Sequence, residues 1–289
     1  MPNIFQKLQS VHHNYLYLIL IVVTFVPLLF PLGLGIGVGR LERAAYDTIQ
    51  ATPTGSKVIF YAALAQWAVG SYSPYIVLVE HLFQRGMQIV FVPHAVAGLT
   101  FIPRVLPYCP SATGKAYGVD WIILAMLPDL EANHASFAVN IPGSSPNDGV
   151  QKKPLATFPI MNGVTTVADF ALGIYQEEKG DSYIRQVAGP FGLPSIAIHG
   201  IDNQPYHTSL LEAGIIDGAV DGVPATAAYE NIIGLPAASK FSSQQMDMMS
   251  LAVVYAIVLV AIGNIAYFTK RMEKASTLAQ STSSTKGEA

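Results

Sequence analysis

KVIFYAAL, at residues 57–64, is the stretch that decides the fold, because it is an apolar run after its first residue. A strand whose two faces are both covered has apolar side chains at successive positions, whereas a strand with one wet face alternates. Several other runs in the chain share this character. We predict strands at residues 57–64, 87–92, 119–126, 170–175, 195–199 and 215–220.

Helical segments separate these runs, and prolines and glycines lie where these helices are expected to begin and end. Pro74 and Pro224 lie near helix starts, while Gly86 and Gly214 follow helix ends. We predict helices at residues 74–84, 110–117, 130–139, 181–188, 205–213 and 224–233. Strand–helix alternation gives a mostly parallel sheet with helices on both faces. The predicted fold class is therefore α/β, a doubly wound, Rossmann- or flavodoxin-like domain over residues 45–245.

The two ends of the chain are its most hydrophobic parts. Apolar residues make up 51% of the 289 residues and charged residues only 12%, about half the usual charged share. Residues 14–39 and 248–269 contain no Asp, Glu, Lys or Arg. About 20 apolar residues in a helix span the roughly 30 Å hydrocarbon core of a bilayer. We therefore predict two transmembrane helices, at residues 14–39 and 248–269, flanking the α/β domain.

The first apolar run has two alternative interpretations. Its length exceeds the roughly 7–15 apolar residues of a cleaved signal peptide, so a retained anchor is favoured. The glycines from Gly33 to Gly39 either allow close helix packing or unwind the helix at the interface, and we favour unwinding. A dinucleotide loop does not fit, because a membrane run and not a strand precedes these glycines.

Charges near the two apolar runs predict the orientation in the cell membrane. Lys270, Arg271 and Lys274 follow the second run, which favours cytoplasmic termini and an extracytoplasmic domain, although Arg40 and Arg43 oppose this. Residues 1–13 form an N-terminal tail. The Ser/Thr-rich composition of residues 270–289 predicts a disordered cytoplasmic tail.

Four sequence segments resemble a group of bacterial and archaeal membrane proteins of uncharacterised activity. They are PTGSKV at residues 53–58, HLFQRGMQIVFV at 81–92, YGVDWIIL at 117–124 and FPIMNGV…DF at 158–170. The resemblance covers nearly the whole chain. It implies an α/β domain between an N-terminal and a C-terminal transmembrane helix, and it implies no activity.

Several functions are disfavoured by composition and motifs. A net charge of −3 leaves no basic surplus for nucleic acid, and a lone cysteine, Cys109, excludes internal disulfides. The chain has no G-x-S-x-G and no G-x-x-x-x-G-K-[ST] motif. Glu131 and His134 form one Glu-x-x-His pair, fewer ligands than a di-iron site requires. We predict no metal, no cofactor and no assigned catalytic residue.

Ligands of open α/β sheets bind beyond the carboxyl ends of the strands. The polar residues that follow the predicted strands are therefore the candidate site. The candidate ligand-binding residues are His94, Asp129, Glu131, His134, His199 and Asp202, and Gln66, Glu177 and Asp221 occupy comparable positions.

Three functional hypotheses remain open. The favoured one is a non-catalytic, membrane-tethered module that assembles with itself or with other membrane proteins, since interface cores are poor in charge. The stretch FIPRVLPYCP at residues 101–110, expected to be exposed, would supply its anchors. The alternatives are a small-solute binding or sensing domain and a membrane-anchored hydrolase, both using the candidate residues. The long irregular segment at residues 141–164 is predicted to be functional, an interface or mobile.

Overall fold

The chain forms two units in a computed structural model, which describes residues 12–30, 32–34, 36–62, 72–126, 130–176 and 181–285. One unit consists of the described residues within Met1–Leu34 and Gln244–Ala289. The other unit lies within Gly35–Ser243 and contains the sheet. Each unit is described separately below.

Six parallel strands make the sheet, which confirms the predicted α/β class. Their bounds are β1 Lys57–Ala62, β2 Gln88–Pro93, β3 Trp121–Ile123, β4 Leu172–Tyr175, β5 Ser195–His199 and β6 Gly218–Asp221. Their spatial order is β3-β2-β1-β4-β5-β6, and every neighbouring pair is parallel. This is the strand order of Rossmann folds and differs from that of flavodoxin.

Both faces of the sheet are covered, as the continuous apolar runs predict. Ile59 and Tyr61 point into one core and Phe60 into the other, and all three are fully buried. The helices of this unit are α2 Arg40–Ala51, α3 Tyr72–Gln84, α4 Val96–Val105, α5 Leu130–Val139, α6 Ile141–Ser144, α7 Asp181–Tyr183, α8 Gly189–Phe191, α9 Gln204–Glu212 and α10 Gly222–Ile232. A π-helical turn, Ile184–Ala188, joins α7 to α8.

Helix α2 lies outside the predicted helices and packs directly on β6. A Cβ atom at Gly218 would overlap the backbone nitrogen of Ala45, so only glycine lets the helix approach this strand so closely. Ala45 and Ile49 are completely buried by this packing. The α/β unit therefore begins before residue 45, the predicted boundary.

The chain between β2 and β3 differs most from prediction. A helix was predicted at residues 110–117, but the structure has α4 and two 3₁₀ turns, Leu106–Tyr108 and Pro110–Ala112. The prediction that residues 101–110 are exposed is correct only in part: Tyr108 is exposed, but Ile102, Val105 and Cys109 are buried. These residues recur at helical spacing, so they form the inner face of α4 and its continuation.

The irregular segment at residues 141–164 is packed against the sheet. Its side chains Leu155, Phe158 and Ile160 are buried in the core that also contains Tyr61. Asp148 organises the loop: its carboxylate accepts the backbone N–H groups of Val150, Gln151 and Lys153 at 2.6–2.9 Å and the Tyr117 hydroxyl at 2.7 Å. Satisfying these donors lets an irregular backbone enter a core.

The other unit contains α1, His13–Leu29, and the described part of α11, Phe241–Thr285, that follows Ser243. Among the described residues, Phe241–Met272 is the helix long and apolar enough to cross a membrane. Helix α1 has 17 residues, the lower limit for a span. It stops at Leu29 and not at residue 39, and described residues between them, such as Gly33, are not helical. This agrees with unwinding by the glycine-rich segment.

The two helices of this unit are joined by polar contacts. The carboxylate of Asp247 accepts the backbone N–H groups of Leu32, Gly33 and Leu34 at 2.8–3.1 Å, and Asp247 is buried. The Tyr255 hydroxyl donates to the Leu16 carbonyl at 2.8 Å. Helix α11 continues to Thr285, into the segment for which a disordered tail is predicted.

Candidate binding site at the carboxyl edge of the sheet

The strand order locates the edge where a ligand is expected. Connections leave β1 and β4 in opposite directions, and the crevice between their carboxyl ends is the usual ligand position in such sheets. Tyr61 of β1 lies opposite Tyr175 of β4 in the strand register. Both tyrosines belong to the same core. The sheet and this edge define a Rossmann-type α/β domain, which is a class of fold and not an activity.

Five rings meet below this edge, and we call them the ring cluster: Tyr61, His94, His134, Tyr175 and Tyr183. Tyr61 contacts His94, His134 and Tyr183 edge-on, with ring centroids 6.0, 5.7 and 4.7 Å apart. His94 and His134 lie 5.8 Å apart, and Tyr175 stacks on Tyr183 at 4.6 Å. Edge-on and offset-stacked geometries are the favourable ones for aromatic pairs.

Backbone features bring these rings together. His94 immediately follows β2, and its backbone N–H donates to the Ala62 carbonyl at 3.1 Å, so it lies beside the end of β1. Tyr183, on α7, lies against Gly173 of β4, where a Cβ atom would overlap its hydroxyl. The absence of a side chain at Gly173 therefore makes room for one ring of the cluster.

A polar relay holds the ring of His134. Nδ1 of His134 lies 2.9 Å from the Ser182 hydroxyl oxygen, to which Gln186 Nε2 donates at 3.1 Å. Gln186 Oε1 in turn accepts the backbone N–H of Ala135 at 3.2 Å, which orients the amide. The relay connects α5 to the α7 segment and fixes the imidazole plane.

Both histidines of the cluster are neutral at physiological pH. Burial lowers the pKa of His94 to about 3, and the neighbouring His134 contributes to this shift. Burial also lowers the pKa of His134 to about 4. A neutral imidazole offers one N–H donor and one nitrogen acceptor. His94 and His134 therefore present hydrogen-bonding groups without charge.

His94 contains an unpaired buried atom. Its Nε2 is shielded from solvent and has no hydrogen-bond partner in the part of the chain that the structure describes. Leaving such a group unsatisfied costs about 1–3 kcal/mol. Unpaired buried polar atoms are uncommon in native proteins, and a ligand or an ordered water is a usual explanation.

The structure brings two of the six candidate residues together, His94 and His134. Asp129 lies outside the described residues, as do Gln66 and Glu177. Glu131 lies on α5, three residues before His134, and its side chain is not described. His134 itself contacts Ser182, and within the described residues no three His, Cys, Asp or Glu side chains are grouped as metal ligands.

The other two candidates lie at the end of β5. His199 Nδ1 is 3.8 Å from the Asp202 carboxylate, too far for a hydrogen bond. The neighbouring strand β6 ends at Asp221, whose carboxylate is within 2.9 Å of His207 Nδ1, and both side chains are buried. Asp221 is among the polar residues predicted to follow a strand, but its partner His207 is not, because α9 supplies it from a separate element.

Tyr61, Tyr175 and Tyr183 were also missed. A tyrosine at the end of an apolar run looks like core, and only the register of β1 with β4 shows that two of them meet at the edge. The end of β2 also lacks a dinucleotide-binding feature: the strand ends at Pro93 and His94 follows it, whereas NAD-binding folds carry an Asp or Glu for the ribose there.

Comparison with protein-family models, curated proteins and solved structures finds no match to this chain. The resemblance to a group of bacterial and archaeal membrane proteins therefore stays a prediction.

Proposed function

We propose that this protein is a membrane-attached domain that binds a small, uncharged, planar solute at the edge between β1 and β4. The observation that carries the proposal is the buried, unpaired Nε2 of His94. A ligand that hydrogen-bonds to this nitrogen removes the cost of leaving it unsatisfied.

The surroundings of His94 specify the chemistry of the solute. Burial keeps His94 and His134 neutral, and a charged ligand would leave its own charge uncompensated in a desolvated site. The tyrosine rings are fully buried and hold His94 in place from below. The imidazole of His94 is partly exposed, and it favours a planar solute, because stacked and edge-on ring contacts add to simple burial.

Membrane attachment by two helices is part of the proposal. Helix α11 supplies a segment of spanning length. The Asp247 contacts with the segment after α1 support α1 as a second, shorter anchor. In this proposal the lipid bilayer is a partner, both termini are cytoplasmic and the α/β domain is extracytoplasmic, following the basic residues after the second apolar run. Carbonate extraction and protease access to intact cells test attachment and orientation.

Binding is tested with the full chain reconstituted in phosphatidylcholine nanodiscs. Phenol, nicotinamide and uracil serve as uncharged planar probes in ligand-observed NMR, with benzoate and benzylammonium as charged counterparts. We expect saturable binding of at least one uncharged probe. A His94→Leu variant keeps the apolar bulk but loses both ring nitrogens, and it should weaken binding about tenfold, as expected for one buried hydrogen bond.

His13→Leu is the matched control, because it makes the same substitution at an exposed histidine of α1, in the other unit. Its affinity should equal that of the wild type. Equal loss in both variants, or saturable binding of the charged probes only, would contradict the proposed site.

Assembly with itself or other membrane proteins is the second candidate function. Exposed apolar side chains on the α/β unit favour it, including Val96 and Val139, which are 64% and 60% exposed. Its contact residues would differ from those expected, since three residues of the stretch at 101–110, Ile102, Val105 and Cys109, are buried in the core. Sizing the protein in mild detergent tests it, and a monomer would contradict it.

A further inference from the structure

A cavity lies in the α/β unit between the start of α2 and helix α9. Its volume is about 200 Å³, which equals roughly seven waters at about 30 Å³ each. Leu41 and Leu211 give it apolar walls, and Glu42 is the buried polar side chain that lines it. Arg40 and Glu212 also line it and pair with each other at 3.2 Å, largely exposed to solvent.

One oxygen of the Glu42 carboxylate, Oε2, has no hydrogen-bond partner among the described residues. The side chain is 4% exposed. Burial raises its pKa and the Asp221 carboxylate adds to the rise, while backbone N–H groups at residues 39 and 42 oppose it. A buried acceptor beside a second carboxylate favours a ligand that brings hydrogen-bond donors and positive charge.

Glycine at position 39 creates the space for this carboxylate. A Cβ atom at Gly39 would overlap Glu42 Oε2, the end of a flexible side chain. The backbone at Gly39 is extended, with φ −77°, so other residues fit this conformation. Glycine is thus required at position 39 because the Glu42 carboxylate occupies the space of a Cβ atom, and not because of the backbone conformation.

Other ligand classes fit the cavity less well. An anion would be repelled by the carboxylates of Glu42 and Asp221. This repulsion opposes the attraction of an anion to the N-terminus of α2, which also lies there. A metal ion needs several ligands, and the described residues provide no such group. We propose that this cavity binds a small primary amine as its ammonium ion, with the ammonium on Glu42 Oε2 and the methylene groups against Leu41 and Leu211.

The test uses the full chain in phosphatidylcholine nanodiscs, which carry no net charge to attract amines. The probe is n-butylammonium, titrated by ligand-observed NMR, with n-butanol and tetramethylammonium as matched ligands. Butylammonium should saturate in the millimolar range. Butanol, which lacks the charge, and tetramethylammonium, which lacks N–H donors, should each bind about tenfold more weakly or not at all.

Two variants test the role of Glu42. Glu42→Gln keeps the size and suits the third position of a helix, so it should fold normally, as circular dichroism can verify, yet bind butylammonium at least about tenfold more weakly. Gly39→Ala keeps the charge but displaces the carboxylate, and it should have a similar effect. Glu212→Gln changes the exposed rim carboxylate and should alter affinity by less than about threefold.

Three results would overturn the proposal: no saturable binding of butylammonium in the millimolar range, equal binding of tetramethylammonium, or equal affinity in Glu42→Gln and wild type. None of them bears on the uncharged probes at the ring cluster, so the two proposals fail separately.

Discussion

Gly173→Ala tests whether the ring cluster depends on a missing side chain in β4. The added Cβ atom would overlap the hydroxyl of Tyr183 and lie 3.0 Å from Leu193 Cδ2. Tyr183 cannot swing away, because it stacks on Tyr175 and meets Tyr61 edge-on, and all three rings are buried. Inserting one methyl group into such a core costs about 1–3 kcal/mol.

A second substitution, Tyr183→Phe, should restore part of the stability that Gly173→Ala removes. In Gly173→Ala with Tyr183→Phe, the overlapping oxygen is gone and the nearest remaining atoms are 3.0 and 3.2 Å from the new Cβ, tight but accommodated by small shifts. Tyr183→Phe alone should cost about 1 kcal/mol for its lost hydroxyl interactions. The double variant should therefore lose less unfolding free energy than the two single variants lose together, by about 1–2 kcal/mol.

Thermal unfolding of the full chain in detergent measures this cycle. For a domain of this size, about 1 kcal/mol corresponds to about 2–4 °C in Tm. Gly173→Ala should therefore melt about 2–12 °C below wild type. Strict additivity of the two changes, or an unchanged Tm in Gly173→Ala, would refute the packing argument.

Two further predictions concern the buried polar groups. Because the pKa of His94 falls from 6.5 to about 3 on folding, the unfolded state binds more protons between these values, and stability must fall as the pH drops below about 6.5. In His94→Leu the slope of unfolding free energy against pH from about 6 to 4 should be shallower by up to about 1.4 kcal/mol per pH unit; an unchanged slope would contradict the assigned burial. Asp247→Asn removes the charge that holds three backbone N–H groups at residues 32–34, a loss of about 1.5–3 kcal/mol. Hydrogen exchange of those amides should accelerate in the variant, while the amide of Gln176, bonded to Tyr61 in the sheet unit, serves as the internal control and should not change.

The strands were predictable because burial on both faces leaves a local signature. Each observed strand overlaps a predicted apolar run, and β5 has the predicted bounds. Residues 96–112 were misread because a proline, Pro103, lies inside α4, and proline normally argues against a helix interior. Helix α2 was overlooked because its buried positions are few and its burial depends on a glycine in β6, far away in the chain.

The candidate site shows the same limit. Polar residues after strands can be found from sequence, which is how His94 and His134 were selected. Their meeting with Tyr61 depends on the order of the strands, since β1 lies between β2 and β4. Whether a buried nitrogen has a partner depends on every element around it, and no local pattern in the sequence records that.

Desolvation favours the uncharged form of His94 and of Glu42 alike, but the two proposed sites should differ in selectivity. Burial keeps the imidazole of His94 neutral, and the five described side chains of the ring cluster offer no counterion to a charged ligand. At Glu42 burial raises the pKa, and an ammonium ion that pairs with the carboxylate restores its ionised form. Uncharged planar probes should therefore respond to His94→Leu and not to Glu42→Gln, and butylammonium should show the reverse. A single probe that lost affinity equally in both variants would contradict this separation, because each variant would then act through the stability of the whole domain.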